Sequence, residues 1–65
     1  MAITHLRNIE NFLKKRKNKA FTRTKIRNDF GMNYNIVLEV LDYLLEHKII
    51  VRIRKKGQAD KYKWK

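Results

Sequence analysis

The sequence contains no cysteine, no serine and no proline, and it has only two glycines. Without cysteine there can be no disulfide framework and no thiolate metal site. The two histidines, His5 and His47, lie far apart, and the acids near His47 do not match a metal-ligand motif. We therefore expect neither a metal nor another cofactor.

Signals of catalysis and of membrane insertion are also missing. The chain has no cysteine or serine nucleophile and no glycine-rich phosphate loop, so we expect no catalytic residues, no enzymatic activity and no small-molecule ligand. No apolar run approaches the roughly 20 residues that span a bilayer. Residues 1–6 lack the charged and apolar regions of a signal peptide. These absences predict a cytoplasmic protein.

What the chain has in excess is positive charge. It carries 17 Lys and Arg against 6 Asp and Glu, a net charge of +11 on 65 residues. Residues 1–27 sum to +8, residues 28–47 to −4 and residues 48–65 to +7. Dense like charge is unfavourable unless something binds it, so an anionic partner is expected, nucleic acid before an anionic membrane or an acidic protein.

Hydrophobic spacing predicts three helices within a single small domain that spans residues 1–65. The first covers residues 4–16, with Thr4 as its N-cap, and residues 17–19 break it. Residues 20–21 are too few to assign, and a short extended segment is one interpretation. The second helix starts at a Thr22 or Thr24 cap, ends near Phe30 and is terminated by a left-handed Gly31.

The third helix is predicted over residues 34–47, capped by Asn33, and is the most apolar segment of the chain. Two explanations of its wide apolar surface stay open. Either the third helix is the centre of a small core and the other elements pack around it, or part of the helix forms a homodimer interface. The suspected dimer residues lie off the main buried row: Ile36, Leu38 and Leu45.

Alternation with a period of two follows the third helix. Ile49, Val51 and Ile53 face one way, with Arg52 on the opposite side. Residues 55–60 form a glycine-containing loop, and residues 61–65 alternate again. Tyr62 and Trp64 are then on the apolar face, where core packing is the simpler interpretation and base stacking the alternative.

The predicted order is helix, helix, glycine turn, helix and basic hairpin. This order resembles the winged helix-turn-helix DNA-binding family, which is common among small transcription regulators of bacteria, archaea and their viruses. Residues 22–26 and 30–33 are similar to its second helix, turn and third-helix cap. Residues 49–50 are similar to the apolar pair that leads into the wing, and residues 54–61 to the wing itself. The resemblance implies an α+β fold, with three helices and a C-terminal β-hairpin wing, that binds double-stranded DNA.

The resemblance also implies which residues touch DNA. The second helix and the wing would hold phosphates, while the start of the third helix, continuing to Leu38 and Glu39, would enter the major groove. The implied contact residues are Thr22, Arg23, Thr24, Lys25, Asn33, Tyr34, Asn35, Arg54, Lys55, Lys56, Gln58 and Lys61. Asn35 is the best candidate base reader, because an asparagine amide pairs with adenine through two hydrogen bonds.

One departure from the family leaves the mode of recognition open. Residues 28–47 contain no Lys or Arg, so the third helix cannot make the common arginine contact to guanine. Either this helix reads bases through Asn35, or the wing and second helix make most contacts and DNA shape governs the choice of site. A chromatin-type binder, an RNA binder and a winged-helix module that docks on a larger transcription complex are the alternatives.

Overall fold

Three helices and a three-stranded antiparallel sheet form the computed structural model, which describes residues 3–65. The elements are α1 (Ile3–Lys15), β1 (Ala20–Thr22), α2 (Arg23–Phe30), α3 (Tyr34–Glu46), β2 (Ile50–Ile53) and β3 (Lys61–Trp64). The predicted α+β class is confirmed, as is the winged-helix order of helices, turn, helix and hairpin. The predicted domain also includes Met1 and Ala2, which lie outside the described residues.

Local hydrogen bonds set the ends of α2 and the start of α3. The Lys25 backbone N–H donates to Thr22 Oγ1 at 3.1 Å, so Thr22, not Thr24, caps α2. Gly31 ends this helix in the predicted left-handed conformation, with φ 60°. Asn33 Oδ1 accepts from the Asn35 backbone N–H at 2.8 Å, which confirms the predicted cap of α3.

Two predicted helix ends are corrected. Because α1 begins at Ile3, Thr4 lies inside its first turn and is not the N-cap. Helix α3 ends at Glu46, and His47 is its C-cap through its backbone N–H, which donates to the Tyr43 carbonyl at 3.1 Å. The His47 ring lies against the Tyr43 ring, with centroids 4.1 Å apart.

Lys48 holds the left-handed position that follows α3, with φ 59°. Its N–H donates to the Leu45 carbonyl and the Ile49 N–H to the Leu44 carbonyl, each at 3.0 Å. This is the Schellman pattern, which usually has glycine at the left-handed position. The chain therefore changes direction after α3 at Lys48, whose left-handed backbone conformation is unfavourable for a residue with a side chain.

The core lies between the three helices and one face of the sheet. The buried side chains come from all three helices and both hairpin strands: Ile9, Leu13, Ile26, Val37, Val40, Leu41, Leu44, Ile50 and Tyr62. Tyr62 is 3% exposed and Trp64 packs against this cluster, which confirms the predicted core placement of both rings.

The sheet order is β1-β3-β2, and its register corrects the predicted apolar face of the hairpin. Ile50 is opposite Trp64 and Arg52 is opposite Tyr62, so these four residues share one face of the sheet. Ile50, Tyr62 and Trp64 pack in the core on this face, whereas Arg52 is exposed. Val51 is on the outer face and is 39% exposed. Burial along β2 does not alternate strictly, because Arg52 is exposed and Ile53, on the face of Val51, is half-buried. Helix packing buries Ile50 rather than Val51.

Candidate nucleic-acid interface

The sheet brings the start of α2 and the wing to the same end of the molecule. Thr22 is opposite Lys61 in the β1–β3 pair, and Lys61 is opposite Ile53 in the β2–β3 pair. Helix α2 begins directly after Thr22, and the wing loop, residues 54–60, begins directly after Ile53. Residues some 40 positions apart in sequence therefore lie across one row of the sheet.

The start of α3 reaches the same region through a contact between two side chains. The Arg23 guanidinium lies 5.9 Å from the centroid of the Tyr34 ring, within range of a cation–π interaction. Tyr34 remains 37% exposed. The contact places the first turn of α3, including the exposed Asn35, beside the first turn of α2.

The wing loop is shaped by a glycine turn. The Gln58 N–H donates to the Lys55 carbonyl at 3.1 Å, and Gly57 has φ 77°. Lys56, between them, has no positive φ, so the four residues form a type II turn, which requires a residue such as glycine at its third position. Lys55 and Lys56 are exposed at this turn and have no acidic partner within residues 3–65.

Two predicted phosphate contacts already have partners in the protein. Lys25 Nζ lies 3.0 Å from Asp29 Oδ1, one helical turn further along α2. Arg54 Nε lies 3.4 Å from Asp60 Oδ2, across the base of the wing. Each pair is partly exposed, so the gain is small, but the carboxylate offsets charge that a phosphate would otherwise meet.

The predicted contact residues differ in their surroundings. Five of them, four of which are basic, lie at the wing end of the sheet, and we call this set the wing-end patch: Thr22, Arg23, Lys55, Lys56 and Lys61. The caps Thr22 and Asn33 use a side-chain oxygen on their own helices, although the Thr22 hydroxyl hydrogen can still be donated. Thr24 and Gln58 are exposed near this patch, and Lys25 and Arg54 are paired with acids.

Helix α3 presents an acidic face beside this basic region. Asn35, Glu39, Asp42 and Glu46 recur at three- and four-residue spacing, and all four are exposed. We call this surface the acidic stripe. Only Asn35, at its start, has a side chain that suits base recognition without adding negative charge.

The three suspected dimer residues do not form one surface. Ile36 and Leu38 are two residues apart on α3, so their side chains point about 200° apart around the helix. Ile36 and Leu45 pack against the core, and Leu38 is half-buried. A homodimer remains a prediction, and a single partner surface could not contact both Ile36 and Leu38, because they lie on opposite sides of α3.

A second basic region lies outside the predicted set. Residues 15–19 line a depression of about 340 Å³ between α1 and β1. Residues 14–17 form a run of positive charge in the sequence. Its simplest interpretation is a solvated helix end, and the alternatives are a second phosphate contact and a nuclear-type signal. Sequence reasoning missed that Lys48 and Lys65 lie at the same end of the sheet, because only the strand register reveals it.

Comparison with models of protein families, with curated proteins and with solved structures found no match. Among residues 3–65, no three His, Asp or Glu side chains are grouped where a metal could bind. No helix in this part of the chain is long and apolar enough to cross a bilayer. The class of fold, a three-helix α+β layout with a C-terminal wing, and the charge of its surfaces are therefore the basis for a functional proposal.

Proposed function

We propose that this chain binds double-stranded DNA as a small transcription regulator. The observation that carries the proposal is the convergence of three separate segments at one end of the sheet. The Thr22–Lys61 register brings in the start of α2 and the wing, and the Arg23–Tyr34 contact adds the start of α3. A duplex at this end would meet all three segments together.

Phosphate binding is the chemical basis of affinity in this proposal. Duplex DNA carries one negative charge per about 1.7 Å of axis, and each Lys or Arg that neutralises a phosphate releases counterions. Arg23, Lys55, Lys56 and Lys61 supply such cations at the wing end, without a carboxylate partner among the described ion pairs. The Thr22 hydroxyl can add a hydrogen bond to a phosphate oxygen.

Base reading in this proposal is limited to the first turn of α3. Asn35 is exposed and can pair with adenine in the major groove. Glu39, one turn further, would approach phosphates if the helix lay deep in the groove, so α3 enters by its N-terminus only. Where Asn35 makes no base contact, DNA shape governs the choice of site, or the chain binds along the nucleoid with little sequence preference.

The test is fluorescence anisotropy of the purified chain with a random duplex of about 25–30 base pairs, from about 50 to 200 mM salt. We expect affinity to fall steeply with salt and one selected sequence to bind more tightly than the random pool. Salt-dependent binding without any preference would support a chromatin-type binder instead of a regulator. An absence of binding at the lowest salt would contradict direct DNA recognition.

A second candidate function is supported by the acidic stripe. Its three carboxylates, with Tyr43 36% exposed beside them, form a surface that suits a basic protein partner better than DNA. In that case the chain is a winged-helix interaction module that docks on a larger transcription complex. The same anisotropy titration distinguishes the DNA-binding regulator from the interaction module, because only the regulator should bind the duplex without a partner protein.

A further inference from the structure

The segments at the end of the sheet opposite the wing carry six cations. The β1–β3 register pairs Ala20 with Lys63, so Lys19 precedes the sheet at the end away from the wing. The Lys65 N–H donates to the Ile49 carbonyl at 3.2 Å, which brings the last residue beside the segment that follows Lys48. We call this region the far-end patch: Lys15, Arg16, Lys17, Lys19, Lys48 and Lys65.

The positive charge of the far-end patch is not offset by ion pairs. Within residues 3–65, none of its six cations has a carboxylate partner, whereas Lys25 and Arg54 near the wing each have one. Glu46 is the acid closest to Lys48 in sequence, and residues 61–65 contain no acid. Uncompensated like charge at this density is unfavourable unless an anion binds there.

The turn that carries most of these cations is anchored to the core. The Arg16 guanidinium lies 4.4 Å from the Phe12 ring centroid, and its Nη1 donates to the Phe12 carbonyl at 3.5 Å. The Phe12 ring in turn packs on Phe21 at 4.9 Å and on Phe30 at 5.4 Å. The depression of about 340 Å³ along residues 15–19 is open and lined by Lys15, Arg16, Lys17, Asn18 and Lys19, and the Arg16–Phe12 contact joins this turn to the aromatic cluster.

The two basic patches lie at opposite ends of the sheet. Strands of four residues span about 13 Å, which separates the two patches along the strand direction. The acidic stripe runs between them, because α3 begins beside Arg23 and ends at Glu46, close to Lys48. The exposed carboxylates of Asp42 and Glu46 would repel a duplex that extended from the wing end along α3 to the far end.

We propose that the far-end patch binds the phosphate backbone of a second duplex, so that one chain joins two DNA segments. This inference rests on the proposed function for the first duplex and adds a distinct binding surface. The contacts are to phosphates alone, so the second duplex is bound without sequence preference.

The test is a bridging assay with the 65-residue chain. A biotinylated random 30-base-pair duplex is fixed on beads, and the retention of a second, fluorescent duplex is measured at about 50 mM salt. The test variant combines Lys17→Gln and Lys19→Gln, since both side chains are exposed and neither makes a side-chain hydrogen bond within the described chain. The control combines Arg7→Gln and Arg27→Gln, which removes the same charge from exposed positions on α1 and α2.

We expect the Lys17/Lys19 variant to retain about tenfold less second duplex than the control variant, while its anisotropy with a single duplex matches that of the control. Equal retention by the two variants would overturn the inference, since bridging by a dimer of chains would survive the far-end change. A matching loss of single-duplex affinity and of salt slope would also overturn it, because both patches would then hold one duplex.

The assay distinguishes failure of this inference from failure of the proposed function. If the wild-type chain binds a single duplex but retains no second one, only the second binding surface is wrong. If the wild-type chain binds no duplex at low salt, DNA binding itself is wrong, and the bridging proposal falls with it.

Discussion

Neutralising the wing tip tests the phosphate contacts most directly. Lys55 and Lys56 are exposed at the type II turn and have no acidic partner within the described chain. Each phosphate contact contributes about 0.9 to the slope of log K against log salt, so Lys55→Ala with Lys56→Ala lowers the slope by about 1.8. If the other contacts persist, the loss of affinity is about 200-fold at 50 mM salt and about 10- to 20-fold at 200 mM.

The assay is anisotropy with two unrelated duplexes at four or more salt concentrations. Because phosphate contacts carry no sequence information, the double variant should lose the same factor on both duplexes. The matched control is Arg7→Gln with Arg27→Gln, which changes the net charge equally, away from the wing. It should alter the slope by much less than the wing variant.

Three results would refute this reasoning. Unchanged affinity and slope would remove the wing from the interface. An equal effect of the Arg7/Arg27 control would mean that net charge, not contact at the wing, governs binding. A loss confined to one of the two duplexes would show that Lys55 or Lys56 reads bases rather than phosphates.

Other predictions concern the start of α3 and two backbone positions. Asn35→Ala should change sequence preference more than affinity for random DNA, and equal losses on every sequence would show that Asn35 is not a base reader. Lys48→Gly should be more stable than Lys48→Ala by about 1 kcal/mol, because both remove the charge and only glycine relieves the φ of 59°. In thermal unfolding this difference amounts to about 4–8 °C, and coincident melting curves would contradict it. Gly31→Ala should lower stability by about 1 kcal/mol through φ alone, since nothing lies within 4 Å of the added Cβ; an unchanged melting curve would count against this.

Helix ends were predictable because they depend on neighbours a few residues away. Thr22 caps α2 through the N–H three residues on, and Asn33 caps α3 through the N–H two residues on. Gly31 supplies the left-handed conformation after α2 without help from distant groups. Two ends differed from the prediction: α1 already begins at Ile3, ahead of Thr4, and α3 ends at Glu46, one residue before His47.

The buried face of the hairpin was not predictable from alternation alone. Ile50 and Val51 are adjacent and both apolar, so the pattern allows either face to be buried. Pairing with Trp64 and packing under the helices bury Ile50 and leave Val51 exposed. In the same way, helix spacing singles out Ile36 and Leu38, but only packing shows that one contacts the core cluster.

The candidate interface also has features that the sequence predicts and features that only the tertiary structure reveals. The sequence by itself determined the two basic ends, the acidic α3 and the residues at the wing turn, since composition and local turn chemistry specify them. Only the tertiary structure decided that Thr22 lies opposite Lys61, that Arg23 of α2 contacts Tyr34 of α3, and that Lys19 lies at the far end of the sheet. The physical reason is that strand register and side-chain pairing join residues far apart in the chain, and periodicity records no information about such distances.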